Sequence, residues 1–216
     1  PDSGYRSYFS HQNEVAHPGY YRVKLDDYNI TAELTATERV GFHKYTFPKS
    51  DSAHIILDLT SGIYSYDGKI VWSSVRVEND TLVTGYRQTN GWARTRLLYF
   101  AMTFSKPIQS YGLVNKEELI YKGFWRKFNQ NKDFPEQAGN EIISYFNFKT
   151  EDGEAILIKF ALSAVSTKNA IENLNAEIPH WDFEKTKILA KQKWNDELSK
   201  ITIEAGEERK VNFYTS

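Results

Sequence analysis

A histidine and a glutamate stand three residues apart in His11-Gln12-Asn13-Glu14. The surrounding stretch, Phe9 to Tyr21 (FSHQNEVAHPGYY), adds a second histidine, a proline–glycine break and three aromatic residues. A spacing of three puts both side chains on one side of a helical turn, where an imidazole and a carboxylate could serve metal ligation or acid–base work. The same pair fits a hydrogen-bonded loop that caps the first strand, so two readings stand side by side. Pro18-Gly19 forces a turn and fixes the loop against the strand that begins at Tyr20. Fixed polar loops at the end of a sandwich are common places for binding.

A second candidate lies between Gly85 and Arg94 (GYRQTNGWAR). Asn90-Gly91 is a hairpin turn signal. Trp92, directly after it, is expected at an exposed loop tip flanked by Arg87 and Arg94, and an exposed tryptophan points to contact with a ligand or a neighbouring domain. Trp72, Trp125 and Trp194 sit inside strand or helix patterns and are expected in the core, while Trp181 opens a helix and is placed to meet a neighbouring domain. The polar run Asn129 to Asn140 is long for a connection inside a sandwich. Asn29-Ile30-Thr31 and Asn79-Asp80-Thr81 match the glycosylation sequon, but both fall at strand edges or turns. A glycosidase needs two carboxyl groups roughly 5 to 10 Å apart, and no acidic pair stands out.

The elements that must position these residues are mostly strands. Two-residue alternation runs from Tyr20 to about Leu162, as in Ile30, Ala32, Leu34 and Ala36 against Asn29, Thr31, Glu33 and Thr35. Further strands are expected at 70–78, 81–88, 97–104, 119–128, 142–149 and 155–164, separated by turn signals such as Asp67-Gly68 and Asp152-Gly153. With no helical pattern between them, they argue for a mainly β, large antiparallel sandwich. After Ala164 the period changes. Thr167 is expected to cap a short helix that Pro179 ends, and Asp182 a longer one with the stripe Phe183, Ala190, Trp194, Leu198 and Ile201. Short strands are expected at 201–204 and 209–214. The division is a sandwich over 1–165, linker helices over 166–200, and 201–216 leading toward a further domain.

The totals exclude more than they name. With 27 basic and 28 acidic residues among 216, the net charge is −1, which offers no nucleic-acid footprint and no polybasic membrane patch. There is no cysteine, hence no disulfide, thiolate metal site or cysteine nucleophile. No apolar run approaches the roughly 18 residues of a membrane span. The 14 tyrosines, 13 phenylalanines and 5 tryptophans suit either a β-rich core or a surface whose flat rings cover the apolar faces of sugars. The chain starts at Pro1 and stops at Ser216 after a strand-like run, as expected of a segment of a longer protein.

Three stretches carry a resemblance. Phe9 to Pro48 (FSHQNEVAHPGYYRVKLDDYNITAELTATERVGFHKYTFP) and Gly85 to Pro107 resemble the N-terminal domain of glycoside hydrolase family 92, calcium-dependent exo-α-mannosidases of bacteria. Lys191 to Ser216 is similar to the linker leading into the family's catalytic domain. The resemblance implies a galactose-mutarotase-like sandwich, linker helices, and an (α/α)6 barrel that this chain lacks. It further implies inverting hydrolysis of α-linked terminal mannose, and a periplasmic, cell-surface or secreted location. The acid, the base and the calcium site would come from the barrel, so no catalytic residue and no metal are expected here. The partners implied are the chain's own C-terminal catalytic domain and a mannose-containing glycan. His11, Glu14, Trp92 and Arg94 would then line or buttress the sugar pocket from the sandwich side. Two other classes fit the residues: a non-catalytic carbohydrate-binding module, and a mutarotase-type epimerase working through a histidine and a glutamate.

Overall fold

Alternating apolar and polar residues bury one face of a strand and leave the other for a different partner, and here both faces find one. The computed structural model describes residues 4–62, 64, 66–115 and 135–215. The strands are β1 (Val15–His17), β2 (Tyr20–Leu25), β3 (Ile30–Ala36), β4 (Val40–Phe47), β5 (Ser50–Asp58), β6 (Ile70–Val77), β7 (Leu82–Thr89), β8 (Arg96–Phe104), β9 (Ser110–Asn115), β10 (Glu136–Gly139), β11 (Ile142–Thr150) and β12 (Glu154–Ser163). Among the described residues they form a nine-stranded sheet, β1-β2-β3-β4-β12-β8-β7-β6-β10, and a three-stranded sheet, β5-β11-β9. Every pairing is antiparallel. The protein is mainly β, an antiparallel sandwich, as its alternation requires.

The main core lies between the sheets. Val75, Val83, Phe100, Met102, Phe104 and Ile156 of the large sheet meet Leu113, Phe146 and Phe148 of the small one. Contact across the ladder is close at Gly85, where a Cβ would fall 2.0 Å from the Ser74 carbonyl oxygen and 2.6 Å from the Phe100 ring.

The opposite face of the large sheet carries a second core under two helices, α1 (Thr167–Glu177) and α2 (Phe183–Leu198). Val40, Phe42, Ala101 and Ala161 of the sheet pack against Ala170, Leu174, Ile178 and Phe183. The cap of α1 is Ser166 rather than Thr167: its backbone is extended, and its hydroxyl accepts from the Asn169 N–H at 3.1 Å. Thr167 is already helical and cannot reach that donor. Asp182 caps α2 as expected, accepting from Lys185 N–H at 2.9 Å.

Other expectations change. The strand expected over 209–214 is helical: α3 spans Glu207–Thr215, and residues 201–206 are irregular. As a helix this stretch satisfies its backbone groups internally, and Glu207 and Glu208 favour the positive end of its dipole. Within the polar run 129–140, residues 136–139 are strand β10, paired with β6. The rest, 129–134, lies outside the described residues, as do Trp125 and the strand expected over 119–128. Trp72 and Trp194 are not core residues, being 39% and 50% exposed. Trp72 stands on the helix-side face of β6, while α1 packs chiefly on β12 and β8.

Candidate functional site

The N-terminal candidate is built by local rules. Ser10 caps a single 3-10 turn, His11–Asn13, by accepting from the Gln12 N–H, and Glu14 then turns the chain into β1. Pro18-Gly19 joins β1 to β2, with Gly19 at φ +80°. That glycine answers a second demand, because a Cβ there would sit 3.0 Å from Ala190 Cβ and 3.2 Å from the Trp194 ring on α2. The turn is clamped between sheet and helix.

His11 and Glu14 meet as their spacing suggests, with Nδ1 2.5 Å from Oε2. The second carboxylate oxygen accepts from the Tyr21 hydroxyl at 2.6 Å. The bonds from Tyr21 and His11 hold Glu14 below the usual carboxylate range, and the Glu14 bond pushes the Tyr21 hydroxyl up. The Phe9 ring stands edge-on to the imidazole, centroids 5.4 Å apart. The His11 side chain is 86% exposed and that of Glu14 23%. A carboxylate that stays ionised, with both oxygens occupied, is an orienting group and not a proton donor at neutral pH. The imidazole it orients is open to a ligand hydroxyl.

The second candidate is a six-residue loop, 90–95, between β7 and β8. Its base is tied down: Asn90 N–H donates to the Lys69 carbonyl at 2.8 Å, and the Tyr66 hydroxyl donates to the Asn90 carbonyl at 2.6 Å. Trp92 at the tip is fully exposed, and Arg94 is exposed beside it. Arg87 does not flank the indole. It points to the core side of β7, where its guanidinium donates to the Ser61 carbonyl at 2.7 Å and burial lowers its pKa.

Register separates the two candidates. The row through Val15 crosses Arg22, Glu33, Lys44 and Leu157, and Ser105, just past the end of β8, donates to the Leu157 carbonyl. Trp92 and Arg94 precede the opposite end of β8. The pairs are therefore five strand spacings apart across the sheet, roughly 24 Å at about 4.8 Å each, and a full strand length apart along it. The structure brings His11 to Glu14 and keeps Trp92 beside Arg94, but it does not bring the four together. The residue the sequence passed over is Tyr21, whose phenol completes the carboxylate's contacts; its inward place on alternating β2 was the available signal.

A sandwich of this topology, with helices packed on its outer face, has known relatives. Residues 1–163 match the glycosyl hydrolase family 92 N-terminal domain, and residues 169–216 match the glycosyl hydrolase family 92 catalytic domain. The chain belongs to that family. A family GH92 α-mannosidase from Bacteroides thetaiotaomicron is similar over 100% of this chain and 28% of its own, at 35% identity and a TM-score of 0.86. A structure described as the same α-mannosidase in complex with mannoimidazole matches over 95% of this chain, with a TM-score of 0.82. A family GH92 inverting mannosidase from the same organism matches over 92% of this chain and 24% of its own, at 28% identity and a TM-score of 0.75. A protein of Arthroderma benhamiae described as an uncharacterized secreted glycosidase is 26% identical over 88% of this chain and 26% of its own. The chain thus spans about a quarter of the length of the relatives it matches. No helix among the described residues is long and apolar enough to cross a membrane.

Proposed function

We propose that this chain is the sandwich and linker portion of a calcium-dependent exo-α-mannosidase that removes α-linked terminal mannose from glycans with inversion. One observation carries the reading: the likeness to the Bacteroides α-mannosidase at 35% identity runs the whole length of the chain, through the helices as well as the sandwich. The sandwich would extend to about residue 165, and the linker helices after it, which fall in the stretch that matches the family's catalytic domain, would lead into the rest of that helical domain, the chain's own partner. The general acid, the base and the calcium ligands belong in that domain. The location that fits is the periplasm, the cell surface or the medium.

Within that reading the separation of the candidates divides their roles. A fully exposed indole beside an arginine suits a wall of the sugar pocket, and pockets form preferentially at domain interfaces. The His11–Glu14–Tyr21 group, tied in and half-covered, suits a contact that buttresses the catalytic domain. An epimerase is disfavoured, because Glu14 spends both oxygens on His11 and Tyr21. The test is Trp92→Ala in the full-length protein. A fall of about tenfold or more in kcat/KM for an α-mannoside is expected, on the order of 1.4 kcal/mol; unchanged kcat and KM would remove Trp92 from the pocket. The 216-residue chain alone, with calcium, should show no turnover, and activity would mean that the catalytic groups lie within it.

A further inference from the structure

The helix-side face of the large sheet carries aromatic side chains on three neighbouring strands. Tyr99 of β8 directly opposes Tyr86 of β7, with ring centroids 5.9 Å apart and planes at 58°. Tyr86 opposes Ser74 of β6, and Trp72 lies two residues before Ser74 on the same face, opposite Gln88. That diagonal places the indole within reach of the Tyr86 ring, about 7–8 Å between backbones. A bulge between Ile70 and Trp72 shifts the register there, a device that re-aims side chains. Trp72 is 39% exposed and both tyrosines are half-buried.

The chemistry of the strip is specific. It bears no charge of its own, and the charges beyond it on this face, Arg76 and Glu136 in the next row and Glu78 past the end of β6, are paired through Arg76. The hydroxyls of Tyr86 and Tyr99 and the side-chain amide of Gln88 hydrogen-bond to no other described residue. An aliphatic protein surface laid over them would leave buried donors and acceptors unmatched, which costs free energy. A pyranose meets both demands. Its C–H face covers a flat ring, and its equatorial hydroxyls bond to phenol and amide groups at the rim.

We propose that Trp72, Tyr86, Tyr99 and Gln88 form a binding surface for a neutral glycan, additional to the four candidate residues above. The choice of α-mannan as first probe rests on the mannosidase reading; the surface itself does not. In affinity electrophoresis through gels containing soluble α-mannan or a neutral β-glucan, the 216-residue chain should be retarded. Trp72→Ala should weaken the retardation at least fivefold, Trp72→Phe should keep most of it, and Tyr28→Ala, an exposed aromatic at the β2–β3 turn, should leave it intact. Near-ultraviolet circular dichroism checks that each variant folds. Retardation by β-glucan alone, dependent on Trp72, upholds the surface and counts against the mannosidase reading. No retardation in either gel, equal retardation of Trp72→Ala, or equal loss in Tyr28→Ala overturns the proposal.

Discussion

Lys159 holds its ammonium 4.1 Å from the centre of the Trp181 indole and donates to the Ile178 carbonyl at 3.0 Å, while only 5% exposed. Neither partner is anionic. The lysine therefore fastens the connection between α1 and α2 to β12 through a cation–π contact and one hydrogen bond.

Burial lowers the pKa of Lys159 from its ordinary 10.5. The unfolded chain then keeps this proton to a higher pH than the folded chain, so between the lowered folded value and 10.5 the lysine makes stability rise with pH. Relative to Lys159→Met, the wild type should gain stability as pH rises from the lowered folded value toward 10.5, as urea unfolding would measure. A flat or falling difference counts against a desolvated, unpaired ammonium.

Glu14 titrates the other way. Its carboxyl, held down by Tyr21 and His11, contributes stability that is present above the usual 4.5 and lost as pH falls through the lowered folded value. Carboxyl carbon chemical shifts should place its titration below 4.5. In Tyr21→Phe, which removes the first of the two bonds, the titration should move back up; an unmoved curve would show that the phenol has no part in it.

Gly85→Ala should destabilise the sandwich by about 3 kcal/mol or more. The new methyl would sit 2.0 Å from the Ser74 carbonyl oxygen, which is backbone in a paired strand and cannot yield as a side-chain tip would. Thermal unfolding measures this, and a loss below about 1 kcal/mol would mean that the two strands separate easily.

Caps can be told apart by paired substitutions. Ser166→Ala should cost about 1 kcal/mol, because it frees the Asn169 N–H. Thr167→Ala, one residue on, should cost much less, and the reverse order would return the cap to Thr167.

Much of the sandwich was legible because alternation is a local property. Ile30–Ala36, Leu82–Thr89 and Ile142–Thr150 were visible as strands to within a residue or two, and Asp182 announced its helix. The short edges β1 and β10 were not, since three or four residues carry too little period to read. The helix at Glu207–Thr215 was misread for a related reason: Val211, Phe213 and Tyr214 fit either period, and the acidic pair Glu207-Glu208 at its start was the signal for the helix.

At the candidate site, sequence determined what lies close along the chain: His11 with Glu14, the Pro18-Gly19 turn, an indole at a loop tip. Tertiary structure decided everything that depends on strand order. It gave Glu14 its second partner in Tyr21, set Gly19 against α2, and put five strand spacings between Glu14 and Trp92. It also exposed Trp72 beside Tyr86 and Tyr99, three residues scattered over 28 positions. Hydrophobic period tells which face a side chain takes. Only the pairing of strands tells which side chains share that face.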